Sequence, residues 1–194
     1  MNKDFIGIFP NALSPDLCER IISEMEDNHA HDAVDMRQQH GGGDHRTGTA
    51  YFVRTNDGWD LTRNVINQAL NNCIRAYIEE YPTMSIGCSS HTIKLQKLEP
   101  GQGYHDWHCE AFNYATCNRV LFWMIYLNTT TEGEGMTEWI NQGVRVQPEQ
   151  GKVVICPSGF THTHRGNASY KETKYIATGW YLSLIHISEP TRPY

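Results

Sequence analysis

Three side chains in the second half of the chain have the types and the spacing needed to bind one metal ion. His108 and Glu110 stand two residues apart in GYHDWHCE, so both side chains point to the same face of an extended segment. His164 stands in FTHTHRG on a further predicted strand, and pairing of strands distant in the sequence can bring it beside the first pair. Two imidazoles and one carboxylate leave three positions of an octahedral ion open, which is the ligand set of non-haem Fe(II) sites.

Lys174 makes this pattern more specific, because it follows His164 by ten residues on the next predicted strand. A His-x-Glu pair alone often arises by chance, whereas the pair, a distant histidine and a following basic residue rarely coincide. His162 is an alternative ligand, since it shares a face with His164 on an extended segment. We favour His164 for its spacing to Lys174, and the choice between the two histidines stays open.

Two helices are predicted in the first half of the chain. Ser14, Pro15 and Asp16 form a typical helix start, with a capping hydroxyl, a proline in the first turn and an early acidic residue. A second helix is predicted from Asp60 to a stop before Pro82. Apolar residues at helical spacing predict the buried faces of both helices: Leu17, Ile21, Ile22 and Met25 in the first, and Leu61, Val65, Ile66, Leu70, Cys73, Ile74, Tyr77 and Ile78 in the second.

Strand patterns dominate the second half of the chain. Residues 92–96 alternate polar and apolar side chains, and residues 120–127 (VLFWMIYL) form a continuous apolar run that suits a strand buried on both faces. Residues 153–156 and 174–181 are further strand candidates, separated by turns that contain Gly and Asn. Helices followed by closely spaced strands predict a mainly β protein with flanking helices (α+β), a β-sandwich or jelly roll with the N-terminal helices packed outside.

The segment from Gln39 to Arg46 (QHGGGDHR) predicts a surface loop. Its three consecutive glycines lack the Lys-Ser/Thr pair of a phosphate-binding loop. Such a loop could cover a site, which the sequence alone does not test.

Composition and charge limit the class of protein. The chain has 194 residues, 39% of them hydrophobic and 20% charged, with a net charge of −6, which suits one domain with its own core. No apolar run reaches the roughly 20 residues of a membrane helix, and the N-terminus lacks the layout of a secretory signal. The six cysteines form no CxxC pair, so we expect free thiols and a cytoplasmic location, in the host cytoplasm if the protein is viral. The acidic balance predicts no nucleic-acid partner and no membrane.

The C-terminal segment from Leu182 to Arg192 (LSLIHISEPTR) continues no pattern seen upstream. It resembles the in-frame translation of an adapter used in shotgun sequencing. We therefore predict one native domain over residues 1–181 and a non-native segment over residues 182–194, and His186 takes no part in the metal argument.

The segments PGQGYHDWHCE, RVLFWMIYLNTTTEGEGMTEW, PSGFTHTHRGN and KYIATGWY resemble one known family. It is the Fe(II)/2-oxoglutarate-dependent oxygenases of the prolyl 4-hydroxylase type, in particular their small phage-like members. The resemblance begins at FPNALSPDLCERII and covers nearly all of the chain before residue 182. It implies a double-stranded β-helix (jelly-roll) fold, with Fe(II), 2-oxoglutarate and O₂ as cofactor and cosubstrates, and ascorbate as a further candidate cofactor.

The same resemblance implies a role for each candidate site residue. His108, Glu110 and His164 would bind the iron, Lys174 would hold the distal carboxylate of 2-oxoglutarate, and Tyr126 would add a hydrogen bond. No catalytic side chain beyond the metal centre is implied. Two positions depart from the family, which usually has Asp where Glu110 stands and often has Arg where Lys174 stands. Lysine offers a compact charge rather than a bidentate fork, so neighbouring groups must contribute more to the orientation of the carboxylate.

The activity that the resemblance implies is hydroxylation of a C–H bond, first of all in a prolyl residue of a peptide or protein. A free amino acid or other small molecule is an alternative substrate. Two other functions remain open: a non-catalytic jelly-roll binding protein, and a cupin-type metal enzyme that does not use 2-oxoglutarate. Fold alone does not decide the substrate, and the sequence predicts no oligomeric state.

Overall fold

Strands of the second half and helices of the first half form the fold in the computed structural model, which describes residues 4–39, 43–54, 57–84 and 88–183. The helices are α1 (Pro15–Ser23), continued by a π-helical turn (Glu24–Asn28), and α2 (Asp60–Glu80), with short 3-10 turns at Ala30–Asp32, Met36–Gln38, Pro82–Met84 and Phe160–His162. The strands are β1 (Gly7–Phe9), β2 (Val34–Asp35), β3 (Thr49–Val53), β4 (Cys88–Leu98), β5 (Tyr104–His108), β6 (Arg119–Tyr126), β7 (Thr137–Trp139), β8 (Val144–Val146), β9 (Val153–Pro157), β10 (His164–Gly166) and β11 (Lys174–Ser183).

These strands form two antiparallel sheets. The larger sheet has the order β1-β9-β6-β11-β4-β3-β2, and the smaller one has the order β5-β10-β7-β8. Buried residues of both sheets share one apolar cluster, which includes Phe122 and Ile176 of the larger sheet and Trp139 and Val146 of the smaller one. The arrangement is the jelly roll with flanking helices that the sequence predicts, and this prediction is confirmed.

Strand β6 explains how the larger sheet is stabilised on both faces. Its side chains alternate between two apolar clusters, as a strand requires. Leu121, Trp123 and Ile125 pack in the cluster that contains the buried residues of α1 and α2. Phe122, Met124 and Tyr126 pack in the cluster between the sheets. The helices therefore cover the outer face of the larger sheet and leave its inner face to the site.

The helices agree with the sequence patterns except at their starts. Ser14 stands at the cap position of α1, but among the described residues its hydroxyl makes no capping hydrogen bond. Helix α2 has Asp60 as its first helical residue and Trp59 at the cap position. Leu61 is 40% exposed, because the buried face of the first turn is formed by Thr62. Across the ranges that the structure describes, neither helix is long and apolar enough to span a bilayer.

The end of β11 bears on the predicted domain boundary. Leu182 and Ser183 continue the strand beyond Tyr181 and pair in register with Ser89 and Cys88 of β4. Two residues of the segment predicted as non-native therefore extend a native strand ladder. Residues 184–194 lie outside the described residues, so the adapter interpretation stays a prediction.

Candidate metal centre and its cavity

Strand pairing places the two predicted histidine ligands opposite each other. His108 is the last residue of β5 and His164 the first of β10, and the antiparallel register pairs them directly. Glu110 follows in a bend, where its backbone N–H donates to the Ser158 carbonyl over 2.9 Å. Its Oε1 lies 3.4 Å from His108 Nε2 and 3.6 Å from His164 Nε2. The three ligand atoms lie within 4.8 Å of one another, a spacing at which they could bind one ion.

Backbone carbonyls fix the orientation of both imidazoles. Nδ1 of His108 lies 2.9 Å from the Asp106 carbonyl oxygen, and Nδ1 of His164 lies 2.9 Å from the His162 carbonyl oxygen. Since a carbonyl only accepts hydrogen bonds, each Nδ1 carries the proton and each Nε2 keeps its lone pair for a metal.

The second carboxylate oxygen of Glu110 has protein partners of its own. Oε2 accepts hydrogen bonds from Trp180 Nε1 at 2.8 Å and from Arg119 Nη1 at 3.4 Å. The Arg119 guanidinium lies over the Trp180 indole, 3.7 Å from the ring centroid. Burial would raise the pKa of Glu110, but with both rings protonated the Nε2–H groups and the positive charges of His108 and His164 outweigh burial and hold this pKa well below its ordinary value; a metal ion would take the place of those Nε2 protons. The carboxylate is therefore ionised and ready to bind a cation.

The alternative ligand His162 lies elsewhere. Its Nε2 lies 2.9 Å from the Asp4 carbonyl oxygen, and its Nδ1 lies 3.0 Å from Thr161 Oγ1. His162 stands in a 3-10 turn before β10, so the extended spacing that would give it the face of His164 does not apply. Of the two histidines, His164 is the one whose ring reaches Glu110.

Lys174 is a buried cation in the same cavity. It is 1% exposed, and its Nζ donates to the Gly135 carbonyl at 2.8 Å and the Asn167 carbonyl at 3.2 Å. A methyl group on Gly166 would lie 3.8 Å from Nζ, so the ammonium stands beside β10, the strand that carries His164. Among the described residues no carboxylate pairs with Lys174, and burial lowers its pKa to about 8. A buried ammonium without a counter-ion fits one carboxylate of a bound dicarboxylate such as 2-oxoglutarate.

Tyr126 lies behind the cavity wall rather than in it. It is fully buried, and its hydroxyl donates to Thr137 Oγ1 at 2.8 Å. Thr137 lines the cavity, and Tyr126 is not among the lining residues. The phenol therefore orients the Thr137 hydroxyl, and a direct hydrogen bond from Tyr126 to a ligand would require displacement of Thr137.

The cavity has a volume of about 540 Å³ and is lined on one side by polar residues of β4. Residues 92–96 alternate as the sequence indicates, and the polar Lys94 and Gln96 point between the sheets, where they are 3% and 8% exposed. Sequence reasoning missed these two residues and also Arg46 and Arg119, which line the same cavity. The available signal was a lysine and a glutamine at alternate positions of a strand too central to face solvent.

The glycine-rich segment does contribute to the site. Arg46 forms a β-bridge with Tyr104, and both residues line the cavity. Residues 40–42 lie outside the described residues. Cys109 also lines the cavity, because β5 ends at His108 and strand alternation does not continue to the next residue.

Comparison with known proteins agrees with this site. Residues 93–182 match the model of the 2OG-Fe(II) oxygenase superfamily, and this range contains all five predicted site residues. The match and the fold define the class: the chain is a 2-oxoglutarate- and Fe(II)-dependent dioxygenase, which uses Fe(II), 2-oxoglutarate and O₂. The resemblance predicted from the sequence is thereby confirmed. No curated protein matches the chain significantly.

Solved structures of prolyl hydroxylases share the fold. The viral collagen prolyl hydroxylase of Paramecium bursaria Chlorella virus-1, in its 2OG complex, has a TM-score of 0.68 at 15% identity, covering 92% of this chain and 96% of that chain. A Pseudomonas putida prolyl-4-hydroxylase has a TM-score of 0.69 at 16% identity, covering 92% of each chain. A Trichoplax adhaerens prolyl hydroxylase, in complex with a hypoxia inducible factor oxygen degradation domain peptide fragment, has a TM-score of 0.74 at 14% identity, covering 96% of this chain and 88% of that chain. At these identities the likeness shows the fold.

Proposed function

We propose that this dioxygenase hydroxylates a prolyl residue of a peptide or protein, with Fe(II) bound by His108, Glu110 and His164 and with 2-oxoglutarate held by Lys174. The observation that carries the proposal is the meeting of three ligand atoms within 4.8 Å in a cavity that also contains a buried lysine with no counter-ion among the described residues. The prolyl part is supported by the fold neighbours, which are prolyl hydroxylases, one of them solved with a peptide.

Each residue of the site has a distinct task in this proposal. Fe(II), with 2-oxoglutarate and O₂, supplies the oxidative decarboxylation of 2-oxoglutarate that drives hydroxylation of a C–H bond. His108 and His164 present fixed Nε2 atoms, and Trp180 holds one Glu110 oxygen so that the other faces the imidazoles. Lys174, the proposed partner of 2-oxoglutarate, is buried like His164, whereas His108 and Glu110 are half-buried.

The hydrogen bonds of Lys174 explain how a lysine can orient a carboxylate at a position where the family often has arginine. Two of its three N–H groups are committed to the Gly135 and Asn167 carbonyls. One donor remains, and its direction is fixed by the other two. A lysine held in this way can orient a carboxylate although it lacks the fork of a guanidinium.

Two further expectations belong to this proposal. Ascorbate remains a candidate cofactor by resemblance. A cytoplasmic location is supported by the free state of Cys18, Cys73, Cys109, Cys117 and Cys156.

The test begins with anaerobic protein to which Fe(II) and then 2-oxoglutarate are added. We expect a weak visible charge-transfer band that needs both additions and is lost in His108→Ala. Lys174→Met should keep Fe(II) but raise the Kd for 2-oxoglutarate roughly 100-fold, as loss of a charge-assisted hydrogen bond in a buried site would do. A prolyl peptide should then gain one oxygen atom in the presence of air, with matching formation of succinate.

Three outcomes would contradict parts of the proposal. Folded protein that binds no metal would favour the non-catalytic binding protein. Metal binding with no response to 2-oxoglutarate would favour a cupin-type enzyme. A normal band together with succinate formation driven only by a non-prolyl compound would retain the dioxygenase and reject the prolyl substrate.

A further inference from the structure

The cavity contains two more cations that the metal centre and Lys174 do not explain. Lys94 is 3% exposed on β4, and within the described ranges its ammonium has no hydrogen bond or ion pair. Arg46 reaches the cavity from the glycine-rich segment, with its guanidinium 5.1 Å from the centroid of the Tyr104 ring. Its Nε is buried and has no hydrogen-bond partner in the part of the chain that the structure describes. A buried cation without a partner is unfavourable unless a ligand supplies the counter-charge.

These cations lie apart from the position assigned to 2-oxoglutarate. Lys94 pairs in register with Thr178, whereas Lys174 pairs with Leu98. The two lysines are therefore four residues apart along the sheet, about 13 Å at the ordinary rise of a strand. Gln96 lies between them and donates its side-chain amide to Thr178 over 2.9 Å. The backbone positions of the two lysines are therefore separate along the sheet, with Gln96 between them.

The charge balance of the cavity shows what is missing. Among the residues that the structure describes, its lining contains four cationic side chains (Arg46, Lys94, Arg119 and Lys174) and one carboxylate, Glu110. The charges of Fe(II) and of doubly ionised 2-oxoglutarate cancel, so the bound cofactors leave the excess of positive charge unchanged. Arg119 is the one of these four cations that contacts Glu110. In a chain with a net charge of −6, this local excess points to an anionic ligand.

The pKa of Lys94 is lowered, as expected for an ammonium that has no bound anion beside it. Burial, and after it the charge of Arg46, lower its pKa to about 7, although the charge of Glu110 opposes the shift. An anion beside the ammonium would restore the charged form.

We propose that Lys94 and Arg46 form a subsite for a carboxylate of the compound that is hydroxylated. The inference rests on the proposed function, because the subsite lies in the cavity of the metal centre. The planar fork of Arg46 suits a carboxylate, and Lys94 supplies a second, compact charge. The carboxylate has two possible sources: an acidic side chain next to the target residue of a peptide, or the α-carboxylate of a free amino acid.

Two matched pairs of compounds distinguish a peptide side-chain carboxylate from the α-carboxylate of a free amino acid. The first pair is acetyl-Ala-Pro-Glu-Ala-amide and its Gln counterpart, and the second is L-proline and L-prolinamide. Calorimetry gives the Kd of each compound for anaerobic protein saturated with Fe(II) and 2-oxoglutarate. In at least one pair we expect the acid to bind at least tenfold more tightly than the amide, and the pair that shows this preference identifies the source of the carboxylate.

Variants of Lys94 test whether the preference for the acid over the amide arises at the proposed subsite. Lys94→Met should reduce the ratio of the two Kd values to near one, and Lys94→Arg, which keeps the charge, should retain a preference. Lys171→Met is the matched control, because this lysine is exposed and lies outside the cavity lining; it should leave the ratio unchanged. Circular dichroism of each variant verifies that it is folded.

The proposal is overturned if acid and amide bind equally to the wild type in both pairs, or if the preference survives Lys94→Met. It is also overturned if Lys94→Met raises the Kd for 2-oxoglutarate as much as Lys174→Met does, since Lys94 would then bind the cosubstrate. Failure of the proposed function is a separate result, seen as a missing Fe(II)/2-oxoglutarate band. In that case the same titrations on metal-free Lys174→Met protein still decide whether Lys94 binds a carboxylate.

Discussion

Trp180 donates its indole N–H to Oε2 of Glu110 over 2.8 Å and thereby determines which carboxylate oxygen faces the histidines. The contact joins the two sheets, because Trp180 lies on β11 of the larger sheet and Glu110 follows β5 of the smaller one. A glutamate is longer than the aspartate usual in the family and has one more torsion angle to fix. Trp180, assisted by Arg119, supplies that restraint.

We expect Trp180→Phe to weaken Fe(II) binding about tenfold, since removal of a group that orients a metal ligand costs affinity without removing the ligand. Titration with Fe(II) under anaerobic conditions measures the change. Trp107→Phe is the control: Trp107 is 39% exposed and packs under Arg165 rather than against Glu110. Equal metal affinities of wild type and Trp180→Phe would show that Glu110 needs no such restraint.

The two neighbouring histidines should respond differently to substitution. His164→Ala removes one of three proposed ligands, and we expect Fe(II) binding to be lost. His162→Ala removes contacts to Asp4 and Thr161, so it should lower the urea midpoint of unfolding while metal binding persists. Metal binding that is lost in His162→Ala and kept in His164→Ala would transfer the ligand role to His162.

The sequence predicted the structure correctly where the alternation of one strand or the spacing of two residues determines where a side chain lies. Residues 120–127 predicted a strand buried on both faces, and β6 packs against helices on one face and between sheets on the other. The spacing of His108 and Glu110 placed two ligand atoms together, although Glu110 lies beyond the end of its strand. His164 was favoured by its distance from Lys174, and its ring is the one that reaches Glu110.

The sequence was insufficient where a side chain's surroundings depend on a distant strand. Lys94 and Gln96 look like the solvent side of an amphipathic strand until β11 and the smaller sheet enclose them. Tyr126 begins the Tyr-Leu-Asn of a family-like segment, yet Thr137, eleven residues later in the chain, occupies the space between its hydroxyl and the cavity. Local patterns specify on which face of a strand a side chain lies, and the tertiary packing specifies which elements cover that face.

Strand β11 needs a glycine at position 179. A Cβ there would overlap with the Thr92 carbonyl oxygen and with Cζ2 of the buried Trp123 ring. Gly179→Ala should therefore lower the free energy of unfolding by roughly 3 kcal/mol, because β4 or the indole must move. Gly159→Ala is the control, since a Cβ there has no neighbour within 4 Å. Urea denaturation of both variants checks the difference, and equal stabilities would contradict the close approach of β11 to Trp123.

The pH dependence of 2-oxoglutarate binding identifies the lysine that holds its distal carboxylate. Burial lowers the pKa of Lys174 to about 8, and the cosubstrate binds its charged form. The fraction of protein with a charged Lys174 is constant well below this pKa and falls tenfold per pH unit above it. We therefore expect the Kd for 2-oxoglutarate to be flat up to about pH 7.5 and to rise roughly tenfold by pH 9. The carboxylates of 2-oxoglutarate stay ionised throughout this range, so the change reports on the protein.

Lys94 would give a different profile if it were the partner, because its pKa is lowered to about 7. The rise in Kd would then begin a full pH unit earlier. The measurement uses the visible band of the anaerobic Fe(II) complex between pH 6 and pH 9, with Fe(II) affinity determined separately at each pH. Lys94→Met should leave a break near pH 8 in place, whereas disappearance of the break in that variant, or a Kd constant to pH 9, would exclude Lys174 as the group that titrates.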